Sequence, residues 1–493
     1  MKIALIIPMN STDKEKSFYD YQFYSKFLLS NKYVSYLLAI PVLVSLTPPE
    51  HEIRVFDENI GGIDFSWDAD LVGITVRTMF AKRAYAISEK YRDKGVKTVL
   101  GGIHPSMYPE EVAGYCDSVV IGEAEHVWQN LIADAEKNQL KPIYQATQPA
   151  DLSASPIPVR SKLKMDRYLS DIIQTTKGCP FECEFCSVHA FDGQKIRHKT
   201  VDQVIREIQS MGSVASTYKK KNAIFFADDN ILADKKYARD LFQALKPIGV
   251  NWMCQASVNI SKEDDLLELM RDSGCGAVFI GFESLSKDSL KHMNKGINQK
   301  YSYVEAIQKI QSYGILVHSS FIIGCDGDTP DVFERLIDFI NTNNLLMPLI
   351  NIMTPFPGTK LFARLESEGR ILHKDWSKYD TKQVVFTPLN LTKEEIEAGY
   401  KNVIRSVYSF DAILEKLHHF WKIDFWQHAN RINPVKFRYR LIFALRLFSL
   451  VFSSNTKRSA FILKIMPRVL FDKKVRISTI LTLMAYNDFA YSI

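Results

Sequence analysis

The sequence lacks any run of about 18 uncharged apolar residues, the length from which a helix can span a bilayer. Its first ten residues, MKIALIIPMN, contain only a short apolar run that ends at a proline, with no small-residue cleavage site after it. We therefore expect neither a membrane-spanning helix nor a signal peptide. The short run instead predicts a first buried strand.

Low-complexity tracts and short-period repeats are also absent. The chain has 493 residues, of which 46% are hydrophobic and 24% are charged, as in an ordinary globular protein. A chain of this length is expected to form about two to four domains. It is long enough to bury large cores, so general disorder is excluded.

Cysteine is scarce and odd in number, since the chain has only seven. Four of them are scattered: Cys116, Cys254, Cys275 and Cys325. A secreted disulfide framework usually shows an even number of cysteines at regular spacing. The sequence therefore predicts a cytoplasmic protein in a reducing environment and leaves the other three cysteines for a metal site.

Acidic residues are rare at the C-terminal end of the chain. Residues 401–493 contain 16 Lys and Arg against 5 Asp and Glu, a net charge of +11. The whole chain carries only +6, so the residues before 401 are acidic on balance. The basic character therefore belongs to the C-terminal part alone.

Residues 1–140 alternate short apolar runs with helical patterns. The runs are apolar throughout, which is typical of parallel strands that are covered on both faces. They predict a doubly wound, Rossmann-like α/β domain whose ligands lie at the C-terminal ends of its strands. Glycine turns fall at three such ends, namely Gly61–Gly62, Gly101–Gly102 and Gly122.

Three further segments are predicted after this domain. Residues 141–171 contain four prolines and are interpreted as a linker. Residues 172–390 show six strand patterns, each followed by a helix or loop, and predict a partial (β/α)6 barrel with its chemistry at the strand C-termini. Residues 391–493 predict a helical, basic C-terminal region, and Thr392 with Glu395 forms a capping-box pattern at its start.

Cys179, Cys183 and Cys186 lie within eight residues, after the first predicted barrel strand. Clustered thiols in a cytoplasmic chain favour zinc or an iron–sulfur cluster. Zinc usually takes four protein ligands, and no second cysteine pair exists, although His189 or His198 offers a fourth ligand. The spacing favours a [4Fe–4S] cluster with one iron left open. A non-enzymatic protein with a purely structural metal or cluster is the alternative.

The pattern Cys179-x-x-x-Cys183-x-Phe185-Cys186 resembles the radical S-adenosylmethionine (SAM) superfamily. The resemblance implies that SAM binds the open iron and that an electron from the cluster cleaves it to methionine and a 5′-deoxyadenosyl radical. It also implies an electron donor, either a reductase or a flavodoxin or ferredoxin. A turn or capping role is the alternative for each SAM contact that the resemblance implies. These contacts are Phe185, Asp228, Asp229, Gln255, Ser257, Glu283, Gly324 and Thr354.

The front domain resembles the cobalamin-binding domain that is fused to one large radical SAM class. Asp57-Glu58-Asn59-Ile60-Gly61-Gly62 has the spacing of the DxHxxG pattern, with Asn59 in place of the cobalt-binding histidine. The resemblance implies that the dimethylbenzimidazole tail leaves the cobalt without a histidine replacing it; a front domain that binds no corrinoid is the alternative. His104 is expected to pack in its loop rather than bind cobalt. The implied cobalamin contacts are Asp57, Asn59, Gly62, Thr75, Arg77, Gly101, Gly102, Gly122, Glu123 and Glu125.

Over nearly the whole chain, the motifs resemble the B12-binding-domain radical SAM proteins related to the hopanoid methylases. In chain order these motifs are GCPFECEFC, FADDNI, QASVNI, VFIGFESL, GCDGDTP and TPFPGT. The resemblance implies that a methyl group passes from SAM, via methylcobalamin, to an unactivated carbon of a hydrophobic, lipid or polyprenoid-like substrate. The class also includes ring-contraction and cyclisation enzymes, so a radical rearrangement or cyclisation without methyl transfer is the alternative.

The C-terminal segment RYRLIFALRLFSLVF places Arg438, Arg440 and Arg446 among large apolar residues. A basic amphipathic helix can lie peripherally on an anionic surface such as the inner membrane, which would suit a lipid substrate. It can equally pack on the barrel with its arginines reaching outward. Nucleic acid is disfavoured, because the related tRNA-modifying methylthiotransferases usually carry a second cysteine-bound cluster and an RNA-binding β-domain that the sequence does not show.

Overall fold

The computed structural model describes residues 1–9, 33–214, 223–423, 425, 437–452, 455–472 and 477–493. Two parallel six-stranded sheets follow one another along the chain, and helices follow the second sheet. None of the described helices combines the length and the apolar character that crossing a bilayer requires. This architecture confirms the predicted fold class.

The first sheet contains the five apolar strands expected in residues 1–140 and a short sixth strand. The strands are β1 (Lys2–Ile7), β2 (Glu52–Asp57), β3 (Leu71–Thr75), β4 (Lys97–Gly101), β5 (Ser118–Ile121) and β6 (Ile143–Gln145). Their order is β2-β1-β3-β4-β5-β6, and every neighbouring pair is parallel. The strand β6 lies within the segment interpreted as a linker. It was not predicted, because three residues on a sheet edge are too few to show a period.

Helices cover both faces of this sheet. They are α1 (Ala39–Leu46), α2 (Ala81–Arg92), α3 (Ile103–Met107), α4 (Pro109–Val112) and α5 (Trp128–Glu136). Alternate residues of β1 belong to two different cores, with Ile3 and Leu5 packed on one face and Ala4 and Ile6 on the other. The sheet is therefore buried on both sides, as its continuous apolar strands predicted.

The second sheet is an open, partial barrel. Its strands are β7 (Ser170–Ile173), β10 (Ala223–Phe226), β11 (Trp252–Ala256), β12 (Cys275–Glu283), β13 (Leu316–Ile323) and β14 (Leu349–Ile352). Their order is β14-β13-β12-β11-β10-β7, and all neighbours are parallel. A two-stranded antiparallel pair, β8 (Thr176–Lys177) with β9 (Arg197–His198), flanks the cysteine loop.

Helices alternate with the barrel strands, as the sequence predicted. They are α6 (Ser187–Phe191), α7 (Val201–Val214), α8 (Lys235–Leu245), α9 (Asp264–Ser273), α10 (Lys287–His292), α11 (Tyr303–Ser312), α12 (Val332–Thr342) and α13 (Lys360–Ser367). Because all six strands run in the same direction, their C-terminal ends meet at one edge of the sheet. The cysteine loop lies at this edge.

The C-terminal region is helical. Its helices are α14 (Lys393–Val407), α15 (Phe410–Lys422), α16 (Phe437–Val451), α17 (Thr456–Phe471) and α18 (Ile477–Ser492). The capping box at the start of α14 is confirmed: Thr392 Oγ1 accepts from the Glu395 amide at 3.1 Å, and Glu395 Oε2 accepts from the Thr392 amide at 2.7 Å. These helices share one continuous core with the barrel.

In the alternative in which α16 packs on the barrel, its arginines were expected to reach outward, and for Arg440 this is wrong. The Arg440 side chain is buried, and its guanidinium donates a hydrogen bond to the carbonyl oxygen of Asp472 after α17. Arg440 therefore ties two helices together. The side chains of Arg438 and Arg446 lie outside the described part of the structure.

Candidate active site

The cysteine loop connects β8 to α6 and folds back closely on itself. Gly178 has a φ of +93°, and a Cβ there would meet the carbonyl oxygen of Lys195 at 2.6 Å. The Cys179 amide donates to the carbonyl of Gly193 at 3.2 Å, and the Cys186 amide donates to that of Cys183 at 3.1 Å. Only glycine tolerates this backbone at position 178, so the sequence fixes the tight entry into the loop.

The three thiols lie close enough to influence one another's pKa; Cys183 is buried, and Cys179 and Cys186 are half-buried. Burial raises the pKa of Cys179 and of Cys183, and it raises the pKa of Cys186 to about 12. They therefore stay protonated unless a metal replaces the proton. A [4Fe–4S] cluster takes one thiolate at each of three irons, which this donor set fits.

The two histidines that could supply a fourth zinc ligand have other neighbours. His189 faces Glu182 at 3.7 Å, and the ring of His198 stacks on Tyr237 at 4.5 Å. Among the described residues, no three His, Cys, Asp or Glu side chains converge around a single ion.

A buried ion pair lies against the cysteine loop. Lys295 Nζ is 3.1 Å from Glu283 Oε1, and both side chains are largely buried. Burial alone would lower the pKa of Lys295, but Glu283 and the Cys183 thiol raise it above its ordinary value. Glu283 has a φ of +64°, an unusual backbone conformation for a non-glycine residue and one that is often found at functional sites. The sequence predicted a role for Glu283 but gave no signal for Lys295.

A second group of charges holds the loop from outside. Glu184, between two of the cysteines, accepts hydrogen bonds from Arg364 at 2.6 and 3.2 Å. Arg364 also donates to Asp326 at 3.1 Å. The Leu361 amide donates to the carbonyl of Glu184 at 2.9 Å. The start of α13 is therefore fastened to the cysteine loop, a contact that sequence analysis missed.

The two aspartates after β10 differ in their partners. Asp228 is fully buried and accepts hydrogen bonds from the Thr175 amide and hydroxyl at 2.8 and 3.0 Å and from the Thr176 amide. Burial raises its pKa to about 6 against these hydrogen bonds. Burial, with Asp192 and Asp228 nearby, raises the pKa of Asp229 to about 7, and one buried oxygen of Asp229 has no partner among the described residues. The second oxygen of Asp228 is also buried without a partner among the described residues, so each aspartate has one oxygen available for a ligand.

The next two predicted SAM contacts lie beside this pair. The side-chain amide of Gln255 donates to the carbonyl of Asp228 at 3.3 Å, and Ser257 accepts from Asn230 at 3.1 Å. The strand ends β10 and β11 therefore form one polar edge.

The remaining predicted SAM contacts are engaged in local structure. The Gly324 amide donates to Asp328 at 2.9 Å, and the Thr354 hydroxyl donates to the carbonyl of Ile352 at 3.0 Å. Phe185 packs in a small apolar cluster with Met293 and other side chains.

A cavity of about 380 Å³ opens at the C-terminal ends of β3, β4 and β5. Its walls include two of the three predicted glycine turns, Gly101–Gly102 and Gly122, and the apolar face of α1, which sequence analysis did not single out. Gly102 has a φ of +106°, and a Cβ there would crowd the backbone of Val76 at 3.0 Å. Of the predicted cobalamin contacts, the cavity is lined by Thr75, Arg77, Gly101, Gly102, Gly122, Glu123 and Glu125.

The other three predicted cobalamin contacts are not among the lining residues. Asp57 ends the edge strand β2 and the other two follow it, whereas the cavity lies over strands on the other side of β1. Asp57 accepts from the Asn59 amide at 2.9 Å and from the Tyr168 hydroxyl at 2.7 Å. Asp57, Asn59 and Gly62 are therefore not brought to the cavity.

His104 is fully buried and packs in its loop, as expected. Its Nε2 is 3.1 Å from the Tyr85 hydroxyl, and its ring lies against Trp376 at 5.3 Å. No histidine is among the described residues that line the cavity.

Charged residues join the cavity to the cysteine loop. Glu123 of the front domain pairs with Lys177 at 2.6 Å and with Arg197 at 2.8 Å. Burial acts to raise the pKa of Glu123, but these two cations, led by Lys177, hold it below its ordinary value. Lys177 and Asp192 also line the cavity. Lys177 stands two residues before Cys179, so one wall of the cavity continues into the cysteine loop.

Three family matches cover most of the chain. Residues 63–132 match the B12 binding domain, residues 173–340 match the radical SAM superfamily, and residues 359–491 match a domain of unknown function. The first two matches contain the cavity strands β3 to β5 and the cysteine loop.

Curated relatives extend over both matched regions. The chain is 33% identical to bacteriochlorophyllide d C-12(1)-methyltransferase of Chlorobaculum tepidum, over 81% of this chain and 90% of the relative. It is 30% identical to hopanoid C-2 methylase of Rhodopseudomonas palustris, over 80% of this chain and 74% of the relative. At these identities and coverages, the alignments show common membership of one family.

A solved structure shares the fold. The radical SAM methyltransferase TsrM from Kitasatospora setae, with cobalamin and a [4Fe–4S] cluster bound, superimposes with a TM-score of 0.59. It is 14% identical to this chain, and the match covers 95% of this chain and 99% of TsrM. The chain belongs to the family of B12-binding radical SAM methyltransferases, whose cofactors are a [4Fe–4S] cluster, SAM and cobalamin.

Proposed function

We propose that this enzyme transfers a methyl group to a carbon atom of a hydrophobic small molecule of lipid or polyprenoid character. The observation that carries the proposal is the continuity between the cavity of the front domain and the cysteine loop. Lys177 lines the cavity, pairs with Glu123 and stands two residues before Cys179. A methyl carrier in the cavity and a radical source at the cysteine loop would thus face the same substrate. The relatives named for hopanoids and bacteriochlorophyllide would need the same arrangement.

The protein residues would hold and orient the cofactors. Cys179, Cys183 and Cys186 would bind the cluster. When bound, the cluster and SAM supply a radical that removes a hydrogen atom from the substrate, and cobalamin supplies the methyl group. Lys295 would neutralise the SAM carboxylate, and Asp229 would accept hydrogen bonds from its amino group.

The other proposed contacts are assigned by their strand ends. For SAM we also propose Gln255 and Ser257 at the polar edge formed by the ends of β10 and β11, and Glu283 at the end of β12. Asp228 would order the loop beneath this edge. Phe185, Gly324 and Thr354 would shape the surrounding wall. For cobalamin we propose Thr75, Arg77, Gly101, Gly102, Gly122, Glu123 and Glu125, all at the cavity. Since no described lining residue is a histidine, the cobalt would have no histidine ligand.

The cluster requires a reductant, which would be a reductase or a flavodoxin or ferredoxin. All seven cysteines are free thiols in this structure. This supports a reducing, cytoplasmic location.

The test uses the anaerobically reconstituted full chain. Hydroxocobalamin is added, the protein is desalted, and its absorption spectrum is recorded. Retained corrinoid with a base-off spectrum supports methyl transfer. A cluster signal without corrinoid would favour a radical rearrangement or cyclisation instead.

The radical step is tested separately with dithionite and SAM, by measuring 5′-deoxyadenosine. We expect Cys183→Ala to abolish its formation. Cys254→Ala is the control, because Cys254 is buried on β11 and the thiol beside it is that of Cys275, not of a cluster cysteine. Formation at the wild-type rate by Cys183→Ala would refute the radical assignment and leave a structural metal site.

A further inference from the structure

The C-terminal helices expose large apolar side chains to solvent. Leu441, Leu445, Phe448 and Phe452 recur at intervals of three or four residues along α16 and its last turn, so they form one stripe. Leu445 is 62% exposed and Phe452 is 78% exposed. Leu463 and Phe471 are exposed on the adjacent helix α17, at 53% and 75%. We call these six residues the C-terminal face.

The C-terminal face is not the accidental surface of a loosely packed helix pair. The opposite sides of both helices are buried in the continuous core, with Ala444 and Leu447 on α16 and Ile462, Ile465 and Val469 on α17. The helices are therefore held in place by their buried sides, while the large apolar side chains of the C-terminal face remain in water. Contiguous exposed apolar surface of this kind usually marks an interaction site.

The charged residues within α16 and α17 are all basic, since neither helix contains an Asp or Glu. Asp472, the residue directly after α17, pairs with Arg468 at 3.5 Å. Lys457 and Lys464 are exposed on α17, on the same side of the helix as Phe471. Arg468 is partly exposed but is also placed over the Trp421 ring at 4.7 Å. The partner must therefore tolerate apolar contact and carry negative charge.

We propose that the C-terminal face binds the surface of an anionic lipid bilayer. A bilayer offers acyl chains for the leucines and phenylalanines and negatively charged headgroups for the lysines. A second copy of the chain docked on the same face would bring its lysines against those of the first. Nucleic acid would satisfy the lysines but leave the leucines in water. The proposal does not depend on the identity of the reaction or the substrate.

The experiment measures co-flotation of the reconstituted full chain with vesicles. One vesicle preparation is phosphatidylcholine alone, and the other contains phosphatidylglycerol as well. We expect binding to the second only, and weaker binding at high salt, because exposed charges are screened. Lys457→Gln with Lys464→Gln should weaken binding by about tenfold or more, since each basic residue near an anionic surface contributes about fivefold.

The apolar part is tested with Leu445→Gln and Phe452→Gln combined, both at exposed positions where folding should be unaffected. We expect about a tenfold or greater loss of vesicle binding, because the apolar area that would enter the bilayer is removed. Leu372→Gln with Leu389→Gln is the matched control, since these leucines are 48% and 63% exposed but lie before α14. Its flotation should equal that of the wild type.

Two results would overturn the proposal. One is unchanged flotation of the Leu445 and Phe452 variant. The other is a wild-type protein that binds neither vesicle type and sediments as a dimer, while the Leu445 and Phe452 variant sediments as a monomer. The C-terminal face would then bind a second copy of the chain.

Discussion

The Glu184 carboxylate and the Arg364 guanidinium form a two-pronged pair, with nitrogen–oxygen distances of 2.6 and 3.2 Å, across 180 residues of sequence. Glu184 lies between two cluster cysteines, and Arg364 belongs to α13, beyond the last barrel strand. Asp326 fixes Arg364 from the far side at 3.1 Å. The loop that would hold the cluster is thus positioned by a helix from outside the barrel.

Arg364→Ala is therefore expected to loosen the cysteine loop. It leaves the partly buried Glu184 unpaired, and we expect a loss of about 1–2 kcal/mol in the free energy of unfolding, reduced by partial exposure of the pair. Iron content after reconstitution should fall. Arg335→Ala, which removes an exposed pair with Asp331, is the control. Equal iron content and urea midpoints in the two variants would contradict the positioning role.

Lys295→Met should lower the reduction potential of the reconstituted cluster, because a cation near the thiols favours the more negative, reduced state. A shift on the order of tens of millivolts is expected for one buried charge that is partly offset by Glu283. A redox titration followed by electron paramagnetic resonance measures it. Lys295→Arg should retain the potential, and Lys291→Met, at an exposed position of α10, should leave it unchanged. An unshifted potential in Lys295→Met would count against this role.

Gly358→Ala should disturb the contact between the loop after β14 and the front domain. Gly358 has a φ of +80°, and a Cβ there would lie 2.8 Å from Cγ of Met107 on α3. Gly369 has a φ of +69° with nothing within 4 Å of such a Cβ, so Gly369→Ala carries only the backbone strain of about 1 kcal/mol.

We expect Gly358→Ala to lower the free energy of unfolding by about 2–3 kcal/mol, because overpacking is added to the backbone strain. Urea unfolding measures both variants. Adding Met107→Ala should recover part of the loss in Gly358→Ala only. If the two glycine variants were equally stable, this contact would not matter to the stability of the protein.

Lys416 should make stability depend on pH. Its side chain is buried in the C-terminal helices and donates to the carbonyl of Val407 at 2.9 Å. Burial lowers its pKa from 10.5 to about 7. Between these values the unfolded chain binds more protons, so the free energy of unfolding should rise as the pH increases from about 7 towards 10.

Lys416→Met should abolish this rise and be more stable than wild type at pH values near 7. Thermal unfolding across this range provides the measurement. Lys422→Met, at an exposed position of the same helix, should keep the wild-type slope. A wild-type curve parallel to that of Lys416→Met would show that Lys416 does not titrate in this range.

Parts of the site could be predicted because parallel strands bring their C-terminal ends together. The run of six strand patterns predicted that Asp229 and Gln255 would lie at the same edge as the cysteine loop. Glycine turns after β4 and β5 predicted the cavity for the same reason. The DxHxxG-like spacing was less informative, because spacing does not reveal that β2 would be an edge strand away from the cavity.

The sequence by itself determined the α/β architecture and the cysteine loop, since apolar periodicity and local spacing act over a few residues. Only the tertiary structure decided that Lys295 would face the thiols, that Arg364 would hold Glu184, and that Lys177 would join the cavity to the loop. It also decided that Arg440 would be buried while Phe452 is exposed. Such pairings depend on how distant segments dock, because long-range packing rather than local preference determines which side chains leave water.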